Sequence, residues 1–418
     1  MASATHRSRN GSGPLLRQRY VARLLVGTLI GRLPGGMAPI AILLLAADQG
    51  ESLGAGGLLC ALYGLASALG QPALGRMVDR RGQTLVTSAA VLITTISLLA
   101  LPLIRAAAQP GVAAGLVTLA GLSTPPLEAG LRALWPAVLP DEERRRAALA
   151  LDTGTQGLIY VAGPPLVATL STTTGPHTAM CATAALGLVG AAVVLTAAPS
   201  RNWRPAPATS PTGALGPLHH PGLRWLFLAI SGVGFALGAM NVWAVALADR
   251  TGMDLLSGLI PAALSTGSLL GGLLYGRRTW PGTLTQQLLA AAVLFAAGWL
   301  PLAAATGPVS ATVLAAVPGL LLTAVITSAF LTVDALAPPG TTTEAYAWLI
   351  ASVGTGQAAG TALAGALAER PGIGPALPAA GAALTLAVLV GARRRLAVPG
   401  ATARRRGRHR RTAAHAAH

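Results

Sequence analysis

The sequence predicts an all-α membrane protein: twelve transmembrane helices arranged as two pseudo-symmetric six-helix bundles. Three observations carry that expectation. Of 418 residues, 53% are hydrophobic and only 10% are charged, whereas a water-facing domain carries about 25% charged residues. Apolar stretches of roughly twenty residues, long enough to cross a bilayer as a helix, recur along most of the chain. Arginine is concentrated in alternate loops, the pattern of a chain threaded back and forth through a membrane.

The elements follow in order. Residues 1–19 form a polar tail with Arg7, Arg9, Arg17 and Arg19 and no short apolar core, so no cleavable signal peptide is expected. Six helices are expected at 20–47, 53–74, 85–105, 110–131, 147–170 and 179–197, giving an N-terminal bundle over 20–198. Residues 199–222, "PSRNWRPAPATSPTGALGPLHHPG", are Pro-rich and read as a semi-extended cytoplasmic linker. Six more helices at 223–248, 256–275, 284–306, 309–336, 346–367 and 376–392 give a C-terminal bundle over 223–392. Residues 393–418 are a basic tail. Glycine and proline inside the spans suit a membrane bundle, where small residues let helices approach closely; Gly356 and Gly360 form one such pair.

Placing both termini in the cytoplasm puts Arg76, Arg80, Arg81, Arg144, Arg145, Arg146, Arg201, Arg204, Arg224, Arg277 and Arg278 on the inner side. Only Arg105, Arg250 and Arg370 fall outside. The tail directly after the last span reads as an anchor to anionic lipid and not as a nucleic-acid patch. An offset of 201 residues aligns Glu143 with Glu344, Gln156 with Gln357, and Gly75-Arg76 with Gly276-Arg277. That repeat supports a duplicated six-helix unit.

Composition also excludes chemistry. The formal net charge is +17, and all 30 basic residues are arginine; a Walker A loop needs a lysine. Cys60 and Cys181 give no disulfide or metal framework. "GESLG" at 50–54 fits a hydrolase pattern, but that motif needs a strand-turn-helix elbow and here lies between two apolar helices. No enzyme activity, cofactor or metal is expected. The arginine-, alanine- and glycine-rich composition without lysine points to the plasma membrane of a bacterium with a GC-rich genome.

"GRMVDRRGQT" at 75–84 is a knot of charge between the second and third apolar stretches. Gly75, Asp79, Arg80 and Gly82 match the signature loop of the major facilitator superfamily, which the whole chain resembles in helix number, two halves and central linker. Gln83 and Thr84 replace that motif's usual basic pair. The resemblance implies that this loop locks against the inner end of the eleventh helix, where Glu344 is available to Arg76, Arg80 or Arg81. A weaker counterpart is expected between Arg277 or Arg278 and the start of the fifth helix. In the fifth helix, Gly154, Gly157, Gly163 and Pro164 resemble the glycine-proline motif of drug/proton antiporters. Leu166 and Val167 replace its following glycines, and the fourth helix lacks the early arginine of many drug exporters.

Charge inside a span is costly and faces a cavity or a partner. Arg32 lies about 18 Å along the first helix, near the midplane. Glu128 and Arg132, four apart, can pair along one face of the fourth helix. Asp152, Gln156 and Tyr160 share a face of the fifth, and Asp334 shares one with Thr323 and Thr327 on the tenth. Asn241 and Gln357 complete the cavity candidates. No histidine lies deep in a span, so a proton carrier would be an aspartate or glutamate. The expected function is a monomeric secondary transporter with a small organic molecule and protons as partners, working as an exporter by alternating access. Uptake symport of a sugar or other metabolite, and a non-transporting sensor or scaffold, are the other readings the sequence admits.

Overall fold

The computed structural model describes residues 15–105, 108–204, 216–253, 255–277, 280–303, 305, 307–367, 374 and 376–397. It is all-helical among the described residues. The helices are α1 (Val21–Asp48), α2 (Leu53–Arg81), α3 (Gln83–Ala100), α4 (Pro110–Leu122), α5 (Leu127–Val138), α6 (Glu142–Thr155), α7 (Gly157–Thr174) and α8 (Pro176–Leu195). After them come α9 (Ala198–Asn202), α10 (Pro221–Thr251), α11 (Leu256–Gly276), α12 (Leu284–Gly298), α13 (Leu300–Ala303), α14 (Pro308–Leu336), α15 (Thr342–Ala366) and α16 (Ala376–Ala392). Eight of them are long and apolar enough to cross a membrane. The eight do not include α15, whose Gly, Thr and Gln residues dilute its apolar stretch.

Several expected boundaries move, each for a local reason. The stretch 75–84 is not a loop: α2 continues to Arg81, Gly82 breaks the chain at φ 93°, and α3 starts at Gln83. Only glycine adopts that backbone readily. The fourth expected helix divides into α4 and α5 around Pro125 and Pro126, which offer no N–H to continue the ladder. The fifth begins earlier, at Glu142, because Asp141 accepts from the Glu143 backbone N–H (3.1 Å) and caps it; it then breaks at Gln156. The ninth divides at Trp299. Of the expected linker, residues 198–202 form α9 and 216–219 a 3-10 turn. The remainder, like the N-terminal tail before Leu15 and the basic tail from 398 on, lies outside the described residues.

The helices pack as two groups. In the first, α1 lies against α8, α7 and α2, and α2 against α4; in the second, α10 lies against α15 and α16, and α11 against α14. The Gly356–Gly360 pair faces α10 so closely that a Cβ would sit 1.9 Å from the Ser231 carbonyl oxygen and 2.2 Å from that of Phe235. Leu15 packs on a cluster with Leu284 and Leu331, and Thr285 donates to the Leu396 carbonyl. Both ends of the described chain therefore lie at one end of the molecule. Arg76, Arg80, Arg81, Arg144, Arg145, Arg146, Arg201 and Arg277 cluster there too, making it the arginine-rich end. Contacts between the groups run mainly through α6 on α11 and α2 on α15.

Candidate functional site

At the arginine-rich end, α2 of the first group closes on the start of α15 of the second. The α15 cap residue, Thr341, makes no side-chain cap bond. Asp79 supplies the cap instead from across the interface, accepting from the backbone N–H groups of Thr343 (3.1 Å) and Glu344 (2.8 Å). A carboxylate at a helix N-terminus satisfies orphan donors and meets the positive end of the helix dipole. One turn earlier, Arg76 binds Glu344 as a fork, Nε to Oε2 at 3.0 Å and Nη2 to Oε1 at 2.5 Å. Trp348 Nε1 adds a longer donation to Oε1 at 3.4 Å. Gly75 permits this approach, because a Cβ there would stand 3.0 Å from the Glu344 Cα. The Gly216 backbone also lies over the Glu344 carboxylate.

Of the three arginines expected to reach Glu344, Arg76 makes the pair; Arg80 and Arg81 are exposed. Among the described residues, the counterpart expected from the repeat is present as backbone contact. A Cβ on Gly276 would stand 2.9 Å from the Ala147 Cα. Arg277 is exposed, Arg278 lies outside the described residues, and Asp141 pairs with Arg144 at 3.6 Å while capping its own helix. One copy is capped from the opposite group and the other caps itself.

Beyond this closed end lies a cavity of about 430 Å³ walled by both groups. Arg32, Glu128, Gln156, Asn241 and Gln357 line it. Arg32 and Glu128 also belong to a four-membered charge square. Arg32 Nη2 pairs with Glu128, and its Nη1 stands 3.5 Å from Asp152 Oδ1. Arg132 reaches Glu128 Oε1 at 2.5 Å and Asp152 Oδ2 at 2.8 Å. The square closes α1, α5 and α6 onto one another with no net charge. Its depth is uneven: the Arg132 side chain is fully buried and that of Arg32 is 12% exposed. Breaking such a buried set by removing one member costs about 3–5 kcal/mol, because a charge is left uncompensated. The Glu128–Arg132 pair is thus more than an intrahelical bridge.

The remaining candidates divide. Arg132 and Asp152 stand behind the cavity wall. Asp334 is outside it: the residue is exposed near the end of α14, where it accepts from the Tyr346 hydroxyl. The Tyr160 side chain lies outside the described residues. Gly154 and Gly157 let α6 and α7 close on α11, with a Cβ there only 2.9 Å from the Ser268 oxygen and 2.6 Å from Ser265 respectively. Gly163 serves α1 in the same way, and Pro164 sits within α7. Phe330 had no sequence signal beyond being one of four phenylalanines. It lines the cavity, and the Arg132 guanidinium lies 3.5 Å from its ring centroid. Among the described residues no cluster of His, Cys, Asp and Glu could hold a metal.

The comparisons agree with this architecture. A family model described as Major Facilitator Superfamily matches residues 24–361. No curated protein matches the sequence. Among solved structures, the chain is similar to a bacterial homologue of the iron transporter ferroportin in its outward-facing state, with 14% identity and TM-score 0.67, covering 89% of this chain and 99% of that one. It is similar to the E. coli fucose:proton symporter at 12% identity and TM-score 0.65, covering 90% and 98%. It also resembles the human organic anion transporter TETRAN at 17% identity and TM-score 0.62, covering 92% and 100%. At these identities the likeness is one of fold.

Proposed function

The chain belongs to the major facilitator superfamily of membrane transporters, and on that premise we propose that it exports a small organic molecule in exchange for protons. The units 20–198 and 223–392 rock about the cavity, joined by the linker 199–222. The arginine-rich end is cytoplasmic by the positive-inside rule, and the basic tail holds anionic lipid at the bacterial plasma membrane. One observation carries the reading: a cavity shared by both groups, sealed at one end, with Arg32 and Glu128 in its wall and Arg132 and Asp152 paired to them just behind it. A buried carboxylate held between guanidiniums is a group whose proton occupancy changes the charge of the whole site. One charge crossing 100 mV releases about 2.3 kcal/mol, enough for a gradient of about fiftyfold. The Gly154–Pro164 motif is the feature that favours export.

Uptake by symport is favoured by a different observation. Protonating either acid leaves a guanidinium uncompensated beside the cavity, and that draws an anion in. Proteoliposomes carrying a pH-sensitive dye separate the readings. A panel of organic cations, organic anions and sugars is applied under an imposed pH gradient. Export by exchange requires solute and proton to move in opposite directions, with uphill solute movement lost on adding a protonophore. Co-directional movement would establish symport, and solute flux indifferent to the gradient would exclude proton coupling altogether.

A further inference from the structure

The fully buried Arg132 makes its ring contact across the interface, with Phe330 of the other helix group. Phe330 in turn packs edge-on against Tyr346, with ring centroids 5.4 Å apart and planes at 66°. Tyr346 donates its hydroxyl to Asp334 and lies two residues beyond Glu344, in the turn that Asp79 and Arg76 hold. Phe330 is 1% exposed and Tyr346 fully buried, so both rings lie inside the packed protein.

We propose that Phe330 and Tyr346 are positioning residues that carry the charge state of the Arg32–Glu128–Arg132–Asp152 square to the start of α15. This rests on the proton-coupled reading above. With both acids ionised, the Arg132 charge is shared between two carboxylates and the ring. When one acid takes a proton, a guanidinium N–H loses its charged acceptor and the ring becomes the larger share of what holds the cation. A desolvated guanidinium over an aromatic face is among the stronger cation–π arrangements. The pull on Phe330 therefore changes with proton occupancy, and Phe330 bears on Tyr346. The charged groups facing the path are Arg32 from α1, Glu128 from α5, Asp152 and Arg145 from α6, and Asp334 from α14. Because Phe330 also lines the cavity, a bound solute touches the same ring. Proton and solute thus converge on one residue outside the square.

The test uses the full chain in lipid nanodiscs, with Cys60→Ser and Cys181→Ser. Spin labels go on Gln109→Cys and Met253→Cys, exposed sites on opposite groups at the end away from the arginines. Phe330 is replaced in turn by mono-, di- and trifluorophenylalanine, which drain the ring face in steps with little change in size. The expected result is a graded displacement of the pH response of the label distance, with the conformational equilibrium at fixed pH changed about tenfold at the trifluoro stage. Phe330→Trp should keep the response, and Tyr346→Phe should weaken it. A fluorinated series that follows the unsubstituted protein, while that protein does respond to pH, overturns this inference and leaves proton coupling standing. No pH response in the unsubstituted protein overturns both.

Discussion

Replacing Asp79 by asparagine removes the charge that caps α15 from the opposite helix group. The carboxylate accepts two backbone N–H bonds, at 3.1 and 2.8 Å, and the residue is only 7% exposed. A hydrogen bond to a charged group contributes about 1.5–3 kcal/mol, and a neutral one about 1 kcal/mol. Asparagine keeps one oxygen acceptor and leaves the second N–H without its partner. Relief from burying a carboxylate offsets part of that loss. The net cost to the closed state is about 2 kcal/mol, the upper range for loss of a helix cap, or roughly thirtyfold in population. Thr343→Cys reports it, because Thr343 is fully buried beside Asp79. In a background of Cys60→Ser and Cys181→Ser, maleimide labelling of that cysteine should accelerate roughly thirtyfold with Asp79→Asn. The thermal midpoint should change little, since both open and closed states are folded. Labelling rates within twofold of each other would refute the capping argument.

Four further outcomes follow from the same geometry. Glu344→Gln should speed the same labelling less than Asp79→Asn does, because Arg76 keeps 28% exposure and partly solvated pairs contribute only about 0–1 kcal/mol. Gly75→Val should trap the arginine-rich end open, seen as full maleimide access at Thr343→Cys, since even a Cβ meets the α15 backbone at 3.0 Å. Arg32→Ala should abolish transport per inserted molecule while membrane insertion persists, with yield lowered by the uncompensated carboxylates. The Asp334→Asn variant, by contrast, should leave solute affinity unchanged in equilibrium binding, as Asp334 does not line the cavity.

Individual residues were legible in the sequence where chemistry marks them. Charge in an apolar stretch singled out Arg32, Glu128, Arg132 and Asp152, but their closure into a square depends on how α1, α5 and α6 pack, which no local pattern specifies. The choice between Arg76 and Arg80 turned on helical phase. Residues 76 and 79 lie three apart and share a face, while Arg80 and Arg81 turn away; read as a loop, the stretch had no phase to apply. Asp334 shares a helix face with Thr327, but it sits about 10 Å further along the axis, beyond the cavity. Phe330 stayed hidden because a phenylalanine in an apolar helix carries no polar signature. The divided helices were marked by Pro125-Pro126 and by Asp141, whose stop and cap signals hydropathy alone overrides.

The most direct test of proton-driven alternating access measures two distances in one protein. One label pair sits at Gln109→Cys and Met253→Cys; the other, at the arginine-rich end, at Arg201→Cys and Arg277→Cys, both exposed. On changing pH, one distance should lengthen while the other shortens, and combined Glu128→Gln and Asp152→Asn should hold both fixed. Distances that ignore pH, or that lengthen together, would contradict the account.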